Sequence, residues 1–258
     1  MKYSVLLLAF LFFTNAHAVE ANYYRFWQGF KKNNLTEGQF VDAIPDFMKK
    51  GVDLYSGNGI SDYLVLMPPS EKPSFVPDEF ALLAFDSKES YDKVRATPEG
   101  KQYGEDHWQI FERSTSKSAE MRTFSEGITM LAPNVAYNVL GKPVDIQKSA
   151  VFTFVGLKKT GLSSEQFLKN MASHLQLVKK EMGPLGMVGY LALATENYEV
   201  AYMMWESEEK AAAAFASPAG EKVQKDASNS LDMLFYKEAA LHDGSPVSNG
   251  EAYKTIAP

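Results

Sequence analysis

Cysteine is absent from the 258 residues. That excludes a disulfide framework, a cysteine-ligated zinc site and a lipid-bearing N-terminal cysteine. A concentrated basic run is missing as well. The formal charge is −6, which argues against nucleic acid as a main partner. Histidine is scarce. His17 falls in an N-terminal leader, and no two of His107, His174 and His242 have metal-ligand spacing, so no metal site is expected. There is no Gly-x-Ser-x-Gly elbow for a nucleophilic serine. Gly57-Asn58-Gly59 is a turn signal, since no phosphate-loop pattern follows it.

Long apolar runs are confined to the N-terminus. Lys2, the apolar run Val5–Phe13 and Ala16-His17-Ala18 have the layout of a secretory signal peptide with an A-x-A cleavage site. The run is nine residues long, about half of the roughly 20 that span a bilayer. Residues 1–18 are therefore read as a leader and the mature chain as starting at Val19. It is expected to be periplasmic or secreted and to have no membrane span after cleavage. Its stability must come from an ordinary core.

What the chain does contain is a copy of itself. YRFWQGFKKNNLTEGQF at Tyr24–Phe40 returns as VFTFVGLKKTGLSSEQF at Val151–Phe167, with Gly29, Lys31, Lys32, Leu35, Gln39 and Phe40 recurring at an offset of 127. Gly59, Tyr63, Leu64 and Leu66 recur as Gly186, Tyr190, Leu191 and Leu193 at the same offset. A Pro-rich loop at 68–77 in the first copy then reduces the offset to 120. Phe85–Glu89 faces Trp205–Glu209, and Thr97-Pro98-Glu99-Gly100 faces Ser217-Pro218-Ala219-Gly220.

Each copy reads strand, helix, strand, strand, helix, strand. Thr36-x-x-Gln39 and Ser163-x-x-Gln166 are capping boxes opening the first helices. Pro45 predicts a kink or early end in the first copy, and Gly51 and Gly183-Pro184 predict the stops. Ser87 and Ser207 cap the second helices, which Thr97-Pro98 and Ser217-Pro218 break and restart. The last strands are expected at Gln109–Ser114 and Met233–Glu238. This is the ferredoxin-like βαββαβ order, twice. The fold class is α+β, two tandem ferredoxin-like units forming an intrachain pseudo-dimeric α+β barrel. The expected division is 19–116 and 150–239 for the units, 117–149 for a connection with a short strand near Thr123–Leu131, and 240–258 for a polar tail.

In this order of elements, and in the Thr/Ser-Pro-x-Gly turn of the second helix, the chain resembles the dimeric α+β barrel superfamily. That group includes antibiotic-biosynthesis-monooxygenase-like domains, haem-degrading monooxygenases and stress-responsive domains. The resemblance covers about Tyr23–Ser116 and Val151–Ala239, and such a fold hosts many functions. In the haem-degrading relatives a histidine of the second helix ligates iron. The resemblance therefore points to His107, although the second copy has no equivalent histidine. Apart from that haem, no cofactor is expected.

Strand alternation divides the side chains between two faces. Val151, Thr153, Val155 and Leu157 are assigned to the helix side. Phe152, Phe154 and their counterparts Arg25 and Trp27 are assigned to the space between the sheets. A buried guanidinium there needs a carboxylate or an anionic ligand; alternatively Arg25 sits at the rim, stacked on Trp27. Tyr63 and Tyr190, one per copy, either point hydroxyls into one cavity or are ordinary packing residues. Trp205, behind a Met-Met pair, reads as core or as ligand wall. The candidate ligand-binding residues are thus Arg25, Trp27, Tyr63, His107, Phe152, Phe154, Tyr190 and Trp205.

Three functions fit these residues. The first is an exported protein binding a small apolar or aromatic molecule. The second is a monooxygenase or isomerase of the barrel type, cofactor-independent or haem-linked. The third is a structural or interaction protein with a solid interior. The chain is expected as a monomeric pseudo-dimer or a homodimer.

Overall fold

The computed structural model describes residues 20–256, so the expected leader and its expected cleavage site lie outside the described residues. The first unit runs β1 (Tyr23–Gly29), α1 (Glu37–Tyr55), β2 (Ile60–Met67), β3 (Glu79–Phe85), α2 (Lys88–Ala96), α3 (Pro98–Ile110) and β4 (Lys117–Thr123). After a short β5 (Val135–Asn138), the second unit repeats the order. It runs β6 (Ala150–Lys158), α4 (Ser164–Met182), β7 (Met187–Ala194), β8 (Tyr198–Trp205), α5 (Glu208–Phe215), α6 (Pro218–Ser228) and β9 (Leu231–Glu238). β10 (Ala240–Leu241) and β11 (Glu251–Ile256) close the chain.

The local signals explain most boundaries. Thr36 Oγ1 accepts from the Gln39 N–H at 3.2 Å while Gln39 Oε1 accepts from the Thr36 N–H at 2.9 Å, and Ser163 and Gln166 do the same for α4. Thr97 and Ser217 each cap a helix with proline at its start. Two stops differ from expectation. α1 runs through Pro45 and Gly51 as one helix of 19 residues. Gly51 is there for close packing, since a Cβ on it would lie 2.6 Å from the Tyr103 hydroxyl. The last strand of the first unit also differs. Gln109 and Ile110 finish α3, and β4 comes at Lys117–Thr123, inside the stretch read as connection. Only Ala119 is buried along β4, which leaves no apolar alternation to read.

The eleven strands form one ribbon in the order β10-β11-β2-β3-β1-β4-β5-β7-β8-β6-β9. Its ends approach where Lys237 Nζ meets Glu251 Oε1 at 3.0 Å, so the barrel is nearly closed. The two units are joined by a reciprocal exchange. β5 follows the first unit and pairs with β7 of the second, setting Ala136 opposite Leu193. β11 follows the second unit and pairs with β2 of the first, setting Ala252 opposite Leu66. Leu66 and Leu193 are repeat counterparts, so Ala136-Tyr137 and Ala252-Tyr253 are too. Both tyrosine hydroxyls accept a backbone N–H from five residues upstream, Ala132 at 3.0 Å and Ser248 at 2.8 Å. Asn134 and Gly250, with φ of 60° and 77°, make the same left-handed entry into the strand. The duplication therefore extends into the segments that the sequence reading left outside it.

The central strands of each unit, β2 and β3 in the first and β7 and β8 in the second, are buried on both faces. Between the sheets lie Phe26, Leu64 and Leu82 of the first unit with Val151, Val155 and Tyr202 of the second. Tyr198 donates to Gln28 Oε1 at 2.7 Å across this interior. The outer faces carry the helices, with Phe40, Phe47 and Tyr63 in one layer and Phe167, Leu175 and Tyr190 in the other. The expected faces are thus exchanged. Val151 and Val155 point between the sheets, whereas Phe152, Phe154 and Trp27 pack toward the helices.

Candidate functional site

Exchanging the faces moves the candidates under the helices and divides six of the eight between two pockets related by the repeat. Arg25, Trp27, Tyr63 and His107 fall in one, Phe154 and Tyr190 in the other; Phe152 and Trp205 line neither. Beneath α4 and α6 lies a cavity of about 340 Å³. Val178, Met182, Ala201, Met203 and Val223 make its walls apolar, and Phe154 and Tyr190 contribute rings. Met233 and Tyr236 stand at its exposed edge, where Phe152 stacks on Tyr236 at 5.7 Å. Trp205 is fully buried behind it against Phe215, at 5.5 Å, and does not line the cavity.

The polar groups of this pocket converge. The Tyr190 hydroxyl donates to Glu199 Oε1 at 3.2 Å, and both side chains are buried. Burial raises the Glu199 carboxyl above its ordinary range, against the opposing influence of His174 and the Tyr190 hydrogen bond. The Tyr190 phenol is raised as well, chiefly by burial and then by Glu199. His174 lines the same cavity, and its Nδ1 stands 2.9 Å from Asp226 Oδ2. A carboxylate only accepts, so this ring nitrogen carries the proton and donates.

The pocket of the first unit has about 220 Å³ and includes Arg25, Trp27, Tyr63 and His107. The repeat explains its smaller size. Tyr103 and His107 occupy the places of Val223 and Ala227, and their rings fill space that the second unit leaves open. His107 Nδ1 donates to the Tyr103 carbonyl at 2.7 Å, and burial pushes the imidazole down to about 4, so it is neutral near pH 7. Its ring is boxed in by Phe47 at 4.5 Å, Tyr103 at 4.8 Å and Trp27 at 5.1 Å. A haem on His107 does not fit this setting, because the cavity is below the ~300–1,000 Å³ of sites for drug-sized ligands. Among the described residues no group of three or more His, Asp or Glu is placed to hold a metal ion.

Sequence reasoning missed the carboxyls. Glu79 and Glu199 are repeat counterparts at the start of β3 and β8, both essentially without exposure. Glu79 has neither oxygen partnered, and burial pushes its carboxyl up to about 8. A glutamate recurring at offset 120 inside an apolar strand was the available signal. Arg95 was missed too, though it lines the first pocket.

No family model and no curated protein matches the chain. Among solved structures it is similar to a Lactobacillus acidophilus protein provisionally named a monooxygenase, at 8% identity and a TM-score of 0.43, covering 83% of this chain and 91% of that one. An anthrone oxidase-like protein matches at 12% identity and a TM-score of 0.36, covering 84% and 93%. A haem-binding protein of Thermus thermophilus matches at 11% and 0.32, covering 86% and 92%. Likenesses this remote carry no argument about activity, and the fold stands on the strand order of this chain.

Proposed function

We propose that the chain is an exported protein that binds a small apolar or aromatic molecule beneath α4 and α6. One observation carries this reading: a cavity of about 340 Å³ with apolar walls converges on the Tyr190–Glu199 hydrogen bond. Apolar walls supply affinity, and a few placed polar groups orient the ligand. A single hydroxyl on an aromatic ring matches one phenol–carboxyl pair. The leader at residues 1–18 supports export to the periplasm or beyond. One chain supplies both halves of the barrel, which supports a monomeric pseudo-dimer.

Calorimetric titration with 2-naphthol tests the reading. Wild-type protein is expected to bind it saturably. Ala227→Phe, which places a ring where the first unit has His107, is expected to weaken binding by about tenfold or more, since burying a ring contributes more than ~1.4 kcal/mol. Equal affinity in the two proteins would overturn the assignment.

A second reading is favoured by the raised carboxyl of Glu199. A carboxyl that holds its proton at higher pH and sits against a phenol in an apolar cavity is equipped for general acid–base work. That chemistry belongs to a cofactor-independent isomerase or monooxygenase acting on a phenol. Glu199→Gln would then abolish turnover while 2-naphthol still bound. Bound haem would instead appear as visible absorbance.

A further inference from the structure

The chain has four arginines, Arg25, Arg95, Arg113 and Arg122, and all lie in its first half. Arg113 pairs with Glu105 at 2.7 Å and Arg122 with Glu120 at 2.9 Å, both at the surface. Arg25 and Arg95 take part in none of the ion pairs among the described residues. Both are half-buried and both line the 220 Å³ pocket of the first unit. In that lining Arg25 lies over the Tyr91 ring, and Tyr91 stacks on Tyr55 at 6.1 Å.

Arg95 Nη1 donates to the Gly100 carbonyl, a neutral partner, so neither guanidinium is matched by a paired carboxylate among the described residues. His107 is neutral, and Glu79, the buried carboxyl of the same helix–sheet layer, is held largely protonated. On the flanking helices Asp92 is paired with Lys88, and Asp106 with Lys50. The Arg25 guanidinium lies 5.3 Å from the centre of the Tyr91 ring, and Trp27 and Trp108 belong to the same lining, Trp108 with the Arg113 guanidinium 4.9 Å from its ring. The fold does not require them. At the matching positions the second unit has Phe152 and Phe215, and it builds the same elements without a cation.

We propose that the first-unit pocket is an anion site for a small aromatic acid, a single ring bearing a carboxylate, with its charge between Arg25 and Arg95 and its ring against the pocket's aromatic side chains. Paired guanidinium forks match a carboxylate geometrically, and a cavity of this size suits one ring. The two pockets have thus diverged, one toward an anion and the other toward a neutral ring. This site is separate from the pocket beneath α4 and α6, and either assignment can fail alone.

Tryptophan fluorescence tests the site, because Trp27 and Trp108 line it and Trp205 is buried in the other unit. The probes are benzoate and its neutral analogue benzamide. Benzoate is expected to give a saturable change that weakens with added salt, and benzamide to bind at least about tenfold more weakly, as loss of a charge-assisted contact implies. Arg25→Phe and Arg95→Phe, which copy the second unit, are each expected to weaken benzoate by about tenfold or more. Ala227→Phe is expected to leave it unchanged. Equal binding of benzoate and benzamide, or no saturable benzoate response, would overturn the proposal. The benzamide comparison uses wild-type protein, so the test stands even where a variant fails to fold.

Discussion

Glu79 and Glu199 hold the same place in the two units, yet only Glu199 has a partner. Tyr190 donates to it at 3.2 Å, whereas both oxygens of Glu79 are buried without a hydrogen bond. A free carboxylate at the Glu79 position is strongly disfavoured, and the group stays protonated up to about pH 8.

Stability should therefore depend on pH through Glu79. The folded protein keeps this proton from about 4.5 up to about 8 while the unfolded chain releases it. The contribution is complete below 4.5, falls as pH rises through that window and is lost above about 8. Glu79→Gln removes the titration, so the stability of the variant relative to wild type should rise with pH between 5 and 8. Denaturant unfolding of both proteins across that range checks this, and a pH-independent difference would contradict it. Asp62, pushed up to about 7 by burial, contributes with the same sign and is unaffected by the substitution.

Tyr198→Phe should loosen the two units. Its hydroxyl donates to Gln28 Oε1 at 2.7 Å inside the barrel, and Gln28 Nε2 is already unpartnered. Leaving the remaining oxygen unsatisfied costs about 1–3 kcal/mol, which equilibrium unfolding measures.

The exchanged strands make equivalent substitutions equally harmful. Ala136 and Ala252 are buried with no exposure at the two seams. Ala136→Asp and Ala252→Asp should each cost on the order of 3 kcal/mol or more, because both bury an unpaired carboxyl. Were residues 240–256 only a polar appendage, Ala252→Asp would be silent in a thermal melt.

Much of this fold was legible because duplication writes each signal twice. Both capping boxes, the Thr/Ser-Pro-x-Gly breaks and the strand order survive in two diverged copies. The faces were not legible, and the reason is physical. With helices outside and a second sheet inside, every residue of β2 is buried, so the period-two contrast between water and core is missing. Aromatic Phe152 and Phe154 looked like cavity lining and small Val151 and Val155 like helix packing, but size does not distinguish two buried faces. β4 was missed because it is charged and short of apolar residues, and β5 and β11 because they are short; the recurring Ala-Tyr at 136–137 and 252–253 was the trace of these last two. The site was half legible. Tyr63 and Tyr190 came from the repeat, but their glutamates were hidden at strand ends.

The most direct measurement is a crystal structure of the protein soaked with 2-naphthol. Density for the ring between α4, α6 and the sheet, with its hydroxyl at Tyr190 and Glu199, is the expected result. Density between the sheets, among Phe26, Leu191 and Tyr202, would place the ligand in the barrel interior and contradict the assignment beneath the helices.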